Sequence, residues 1–316
     1  MKDAVHKAIR VPYAPVALGA LVFWLLTMVF AEHGTLGVLQ QALAVAFVLV
    51  VTGLGQMFVI ASGEGSIDLS VASAITLSGY VCTSVMSGSN ANILVALAVG
   101  IGLGLLIGLV NGVLVVLFGV PALVGTLATG FVLQSIALQV ASTSKAAVSP
   151  ALGSFMSADL GPIPVPGVLG IVLAIVVALA VRYGVFSRLV SAVGQSSEVS
   201  WHAGVKVDRV RVAVFALCGA ASGLAGLLLA GYSGGPSLGM GAPYLLTSIA
   251  VVVLGGTLIS GGRLSVPGVW FGALMLTLVS TLVSIAGLSS GWELVAQGAL
   301  IVLVLTVAMP RAEMAR

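Results

Sequence analysis

The sequence predicts an all-α, polytopic membrane protein with about ten transmembrane helices, and three observations carry that prediction. The first is composition: of 316 residues only 7% are charged and 59% are apolar, with a mean hydropathy of +1.24, whereas an ordinary soluble domain carries about 25% charged residues. A globule of this length exposes too much outer surface to hide so many apolar side chains. A water-soluble enzyme is therefore excluded, and so is disorder, which needs low hydrophobicity and high charge. The second is pattern. The apolar residues stand in long runs such as Leu94–Phe118 and Ile171–Val181, not in the strands of about ten alternating residues that build a barrel; lipid admits only helices or barrels. The third is the distribution of basic residues, which follows from the order of the spans.

Taken in chain order, spans are expected at about 14–31, 36–60, 69–87, 92–118, 121–140, 166–183, 210–232, 243–259, 266–286 and 292–309, each near the roughly 20 residues that cross a bilayer. The first follows Lys2, Lys7 and Arg10, and Val29-Phe30-Ala31 loosely resembles a cleavage site. Its apolar run exceeds the usual signal-peptide core of about 7–15 residues, so a retained span is expected. Pro121 opens the fifth span, where proline is well tolerated. The connections are short except for two. The one at about 141–165 is polar and proline-rich, as an ordered cap or docking surface would be. The one at about 184–209 is the most polar stretch of the chain. When the loops are alternated between the two sides, Lys2, Lys7, Arg10, Arg182, Arg188, Lys206, Arg209, Arg211, Arg263, Arg311 and Arg316 fall on one side and Lys145 alone on the other. Basic residues concentrate on the cytoplasmic side, which puts both termini and the 184–209 loop in the cytoplasm of an inner or plasma membrane protein.

What is missing narrows the function. No glycine-rich loop precedes any of the four lysines in the pattern that cradles nucleotide phosphates, so the chain is not expected to hydrolyse ATP. No Asp, Glu, Lys or Arg falls at the middle of a predicted span, although proton-coupled carriers commonly place one there. The three histidines, His6, His33 and His202, all fall near loops, and no catalytic triad or metal cluster is visible. Cys82 and Cys218 read as inert core thiols.

Several motifs remain. Gly100, Gly104, Gly108 and Gly112 line one face of the fourth span and Gly219 and Gly223 repeat the spacing later; small residues at this interval let helices approach closely. Asp68 or Ser66 is placed to cap the third span. Ile67-Asp68-Leu69-Ser70-Val71 is echoed by Gly262-Arg263-Leu264-Ser265-Val266, 195 residues on, and the opposite charges of Asp68 and Arg263 suggest a pair. Asn111, Thr126, Thr129 and Gln134 form a polar set. The threonines either bond their own helix backbone or line a path for a hydroxyl-rich solute. The stretch Ala192–Val205 reads as a short amphipathic helix that either lies at the membrane surface with Trp201 inward or docks a cytoplasmic protein.

At this point the chain resembles the permease subunit of ribose-type ABC sugar importers over about 40–309. The resemblance rests on Gly65-Ser66-Ile67-Asp68-Leu69-Ser70-Val71, Asn111-Gly112, Val120-Pro121 with Thr126-Leu127, the Gly194–Val205 loop, and Leu254-Gly255-Gly256-Thr257 followed by Gly261-Gly262-Arg263. Departures stand at Ser66 and Ala72, where that family usually has glycine, at Ser196, where it usually has asparagine, and at Val199 and Ser200. The resemblance implies a single transmembrane permease domain over 1–316 that binds no cofactor itself. It would pair with a second permease copy or sibling, a cytoplasmic ATPase holding ATP and Mg, and an extracytoplasmic solute-binding protein. In that scheme Gly194, Gln195, Ser196, Glu198, Trp201, His202 and Gly204 couple to the ATPase. Asn111, Thr126, Thr129 and Gln134 border the substrate path, and Asp68, Arg263, Gly104 and Gly108 serve packing and conformational change. The rival expectations are a secondary carrier acting alone and a non-transporting membrane scaffold.

Overall fold

The computed structural model describes residues 13–30, 35–289, 291–293, 295–299 and 302. Helices dominate: α1 (Ala14–Phe30), α2 (Thr35–Ala61), α3 (Val71–Met86), α4 (Ile93–Val116), α5 (Ala122–Thr143), the short α6 (Pro150–Met156), α7 (Val165–Tyr183), α8 (Val185–Gln195), α9 (Ser197–His202), α10 (Val207–Tyr232), α11 (Tyr244–Leu254) and α12 (Val266–Ile285). Among the described residues six stretches are long and apolar enough to cross a membrane, and apolar segments of α1, α3 and α11 occupy three further predicted positions. Most of the tenth predicted span lies outside the described residues, as do Lys2, His6, Lys7, Arg10, Glu32, His33, Arg311 and Arg316, so the count of ten rests on the sequence.

The helices α2 and α10 form the centre. α2 is almost wholly buried along its second half, from Ala46 to Ala61, because it is enclosed by α7, α10, α11 and α12. α4 packs along α10, α3 lies against α5, α4 and α10, and α1 rests on α12. The outer faces of α4, α5 and α7 keep large apolar side chains exposed, among them Leu106, Phe131, Val132 and Val176, as lipid contact requires.

The loops gather at two ends. One end carries Arg182, Arg188, Lys206, Arg209, Arg211 and Arg263 and is called here the basic end. At the opposite end the 141–165 connection is ordered. Ser149 caps α6 by accepting from the Leu152 N–H at 3.3 Å, and Asp159–Leu160 pairs antiparallel with Ile163–Pro164. Ala151 N–H donates to Asn90 Oδ1 (3.0 Å), and Gln40 Nε2 donates to the Pro162 carbonyl (2.9 Å). These bonds tie the cap to the ends of α2 and α3.

Two predicted spans turn out shorter than expected. α3 begins only at Val71 and α11 ends at Leu254 rather than near 259. Gly256 adopts φ 86° directly after α11, a left-handed conformation that stops a helix at small cost for glycine. An 11-residue helix spans about 16 Å, roughly half the hydrocarbon core. Non-helical backbone at membrane depth is tolerated only where protein or a water-filled cavity surrounds it, which makes the flanking segments 62–70, 233–243 and 255–265 the places to look for function.

Candidate functional site

The first of these segments enters the bundle. Asp68 is 1% exposed. Its Oδ1 accepts from the Ser70 N–H (2.8 Å), the Ser70 hydroxyl (2.6 Å) and Asn111 Nδ2 (3.3 Å). Asn111 Nδ2 also lies 2.8 Å from Ser70 Oγ. The Thr126 hydroxyl accepts from the Leu69 N–H at 3.0 Å and donates to the Ala122 carbonyl at 2.7 Å. The segment is thus held by polar groups on α4 and α5, and it delivers Asp68 to the interface of α2, α4 and α10, beside Cys218, whose thiol donates to Gln56 Oε1 (3.4 Å). Two amide atoms here, Gln56 Nε2 and Asn111 Oδ1, are buried without a partner. An acidic residue therefore does stand deep in the bundle. It was invisible to a reading of spans because it is carried there by a loop.

The suggested Asp68–Arg263 pair does not form. Arg263 is exposed at the basic end while Asp68 takes its hydrogen bonds from neutral donors, and the 195-residue echo reflects no shared environment for the two side chains. Nor does Asp68 or Ser66 cap α3 in the expected way, since Ser70 occupies the N-cap position without a side-chain cap bond. Replacing Asn111 by leucine strips Asp68 and Ser70 of a buried donor. Such a loss costs about 2 kcal/mol, expected as a lower thermal-unfolding midpoint in detergent, with Asn111→Gln less harmful than Asn111→Leu.

The polar set splits. Asn111 and Thr126 are both 0% exposed and serve the 67–70 segment, so they border no open passage in this conformation. Thr129 is partly exposed, its hydroxyl donating to the Gly125 carbonyl (3.0 Å), as threonines in helices commonly do. Gln134 is exposed and donates through Nε2 to the Leu238 carbonyl (3.2 Å) in the second irregular segment. Gln139, one turn beyond Ser135 on the same helix, is also exposed. Sequence reasoning passed over Gln139; its signal was helical spacing from Ser135.

The glycine stripe lies face to face with α10. A Cβ at Gly104 would meet the Gly219 carbonyl oxygen, one at Gly108 the Phe215 carbonyl oxygen, and one at Gly223 the Gly100 carbonyl oxygen, all inside contact distance. The backbones of α4 and α10 thus touch directly.

The basic end is built by three loops meeting. Gly194, near the end of α8, lies against the Ala61 carbonyl and the Gly262 nitrogen; Gly63 lies against Gly194, and Gly261 against Gly63. Gly262 N–H donates to the Ala61 carbonyl at 2.8 Å. Gly63, Gly261 and Gly262 all have positive φ (85°, 93° and 83°), which glycine alone adopts freely. Gln195 packs its side chain onto Gly262. On this platform stands α9. Ser196 caps it, accepting from the Val199 N–H (3.2 Å), and Gly204 (φ 83°) turns the chain back toward α10. Trp201 and Val199 are 66% and 67% exposed, Glu198 and His202 are exposed beside them, and the Trp201 and His202 rings meet edge to face at 4.9 Å. Trp201 therefore points away from the bundle, toward whatever covers α9, membrane surface or cytoplasmic partner.

One residue of this end was missed in the sequence. Glu64, between Gly63 and Gly65, accepts from the Ser197 hydroxyl (2.8 Å) and forms a two-pronged ion pair with the Arg211 guanidinium. Arg211, hydrogen-bonded to it, holds the Glu64 carboxyl below its usual range. Since the pKa is lowered, the pair is intact at neutral pH and is lost only as acidification passes below the ordinary glutamate range.

Comparison with known proteins follows the same lines. Residues 38–305 match the family described as the permease component of the branched-chain amino acid transport system. The chain is 30% identical to the ribose import permease protein RbsC of Escherichia coli (strain K12), over 93% of this chain and 91% of that protein. It is 31% identical to the L-arabinose ABC transporter permease protein AraH of Azospirillum brasilense, over 78% of this chain and 72% of that protein. It is 29% identical to the autoinducer 2 import system permease protein LsrD of Photorhabdus laumondii, over 76% and 74% respectively. No solved structure matches.

Proposed function

The chain belongs to the branched-chain amino acid transport system / permease component family and is a permease subunit of an ABC importer in the plasma membrane, and from that premise we propose that it moves a monosaccharide or similar polar solute inward as one half of a permease pair. A separate cytoplasmic ATPase supplies the force, holding ATP and Mg, and an extracytoplasmic binding protein delivers the solute at the 141–165 cap. Both termini and the basic end face the cytoplasm, as the eleven-to-one distribution of basic residues favours.

The observation that carries this reading is α9. It is a short, capped helix held on a glycine platform at the basic end, with Val199, Trp201 and His202 uncovered. An exposed aromatic and aliphatic pair on a rigid mount suits a protein partner better than water. Movement of α9 by the ATPase would switch the permease only if nucleotide binding distinguishes its two states. On the other side, Gln134 is exposed on α5 and reaches the irregular segment 233–243 through the Leu238 carbonyl. An amide facing hydrocarbon is costly, so the flank of α5 carrying Gln134 is read as bordering the solute path between the two permease copies.

The test is reconstitution. Liposomes holding this chain alone take up no sugar. Adding the ATPase and the binding protein with ATP starts uptake. Uptake down a gradient by the chain alone would replace this reading with a stand-alone carrier. Glu198→Lys, which reverses a charge on the exposed α9, is expected to lower uptake and ATPase stimulation about tenfold while membrane insertion is unchanged. Normal uptake by that variant would remove Glu198 from the docking surface.

A further inference from the structure

We infer that Glu64 is a positioning residue for energy coupling: its carboxylate fastens the ATPase-docking helix α9 and the start of α10 to the 62–70 segment, so that displacement of α9 is passed into that segment and the buried cluster it carries. The inference rests on the importer reading above and assigns within it the link that transmits the push.

Three independent observations meet at this residue. Glu64 and Arg211 form the only ion pair among the described residues, in a chain with few charges to spare. Arg211 Nη1 donates to Oε2 while Nη2 stands in ion-pair range of Oε1, and the same carboxylate accepts from Ser197, the first residue of α9, at 2.8 Å. One side chain thus joins the 62–70 segment to α9 and the start of α10, which follow one another in the chain more than 130 residues later. The backbone adds a second sign. Glu64 has φ 54° and is one of only two non-glycine residues with positive φ among those described. Glycines flank it on both sides, so a glycine would be the undemanding choice at this position. A side chain kept where the backbone disfavours one is a sign of use. The third sign is burial. The Arg211 side chain is only 14% exposed, and its Nε and Nη2 atoms have no hydrogen bond to other groups, so Glu64 is its sole anionic partner here.

The route beyond Arg211 is short. Arg211 lies on the first turns of α10, next to Val212, which packs on Gly112 of α4. Glu64 itself continues, through Asp68 and Ser70, into the buried cluster that reaches Asn111 of α4. A push on α9 therefore reaches α10 and the α3 start together.

The experiment uses the complete importer in proteoliposomes, with the ATPase and binding protein, and compares wild type with E64G, R211E and E64R/R211E. E64G relieves the backbone while deleting the link. The relieved backbone offsets part of the loss of Arg211's partner, so the variant is expected to stay folded with at most a modest fall in unfolding temperature and to co-purify with the ATPase undiminished. Its uptake, and the stimulation of ATP hydrolysis by the binding protein, should fall about tenfold. R211E is expected to be uncoupled to the same degree, and E64R/R211E, which restores the pair in reverse, to recover at least several-fold over R211E. Coupled uptake by E64G at the wild-type rate would overturn the inference. So would a reversed pair no better than R211E, or a loss of E64G uptake that merely tracks a loss of bound ATPase. Absence of ATP-dependent uptake in the wild type would instead sink the importer reading itself.

Discussion

Gly108→Leu is expected to prevent the protein from accumulating in folded form, whereas Gly102→Leu, only six residues earlier on the same helix, is expected to be harmless. The two glycines differ in what stands opposite. At Gly108 even a Cβ would run into the Phe215 carbonyl and the Cα of Ala216, while nothing lies within 4 Å of a Cβ at Gly102. The obstacle at Gly108 is backbone of a helix that is itself wedged against α2 and α3, so it cannot swing aside as a side chain would. Forcing extra volume into a packed interface typically costs 1–3 kcal/mol and occasionally more; leucine at Gly108, pressed against main chain, is expected to cost about 3 kcal/mol or more. Substitutions on open surface usually stay within about 0.5 kcal/mol. Fluorescence-detected size exclusion of the two variants, followed by a thermal ramp, checks this. Equal behaviour of the pair would mean that α4 and α10 are not in backbone contact.

Trp201→Ala is expected to abolish most ATPase binding without touching the stability of the permease. Trp201 is 66% exposed and its ring contact is with the neighbouring His202, so its removal opens no cavity in the bundle. Interface tryptophans are frequently hot spots, with losses of about 2 kcal/mol or more on truncation, equivalent to roughly 30-fold in affinity. Titration of the ATPase onto permease in nanodiscs measures the loss directly, and sugar uptake should fall in parallel. The opposing expectation, that Trp201 anchors α9 to the bilayer surface, predicts unchanged ATPase affinity and a tryptophan signal quenched by brominated lipid. The Gly194 platform supplies the companion control. Gly194→Val, forced into the Ala61 carbonyl, would tilt α9 as a whole and weaken docking with Trp201 still in place.

Much of this was legible in the residue order. Among the described residues eight helices begin and end within a few residues of the predicted spans, because hydrophobic length is imposed by the bilayer, while α11 stops well short of its span. The four-residue glycine repeat pointed to close packing and left only the partner unnamed; the matching Gly219 and Gly223 supplied it. The stretch Ala192–Val205 was visible as an amphipathic island, but it is not one helix: its first residues end α8, and after a break at Ser196 only Ser197–His202 form α9. What escaped were features made by contacts distant in sequence. Asp68 looked like an end-of-loop cap because spans are read as continuous cylinders, and nothing local says that a loop dives inward to meet Asn111. Thr126 looked like a path residue for the same reason. Glu64 drew no attention between two glycines, since its partners, Ser197 and Arg211, stand 133 and 147 residues away. Gln134 and Gln139 were distinguishable from the buried polar residues only once α5 was known to be peripheral.

The main-chain seam between α4 and α10 has a mechanical corollary. Two rods that touch carbonyl to glycine along three turns have no side-chain cushion to compress, and behave as a single girder. A pump that opens alternately to either side of the bilayer must then keep this girder whole and locate its shear plane elsewhere. α5 is the natural place: it leans on α3 through Gly130 and on α4 only lightly. Spin labels at Leu106 and Leu217 should hold one separation through the ATP cycle, while labels at Leu106 and Gln139 should report two.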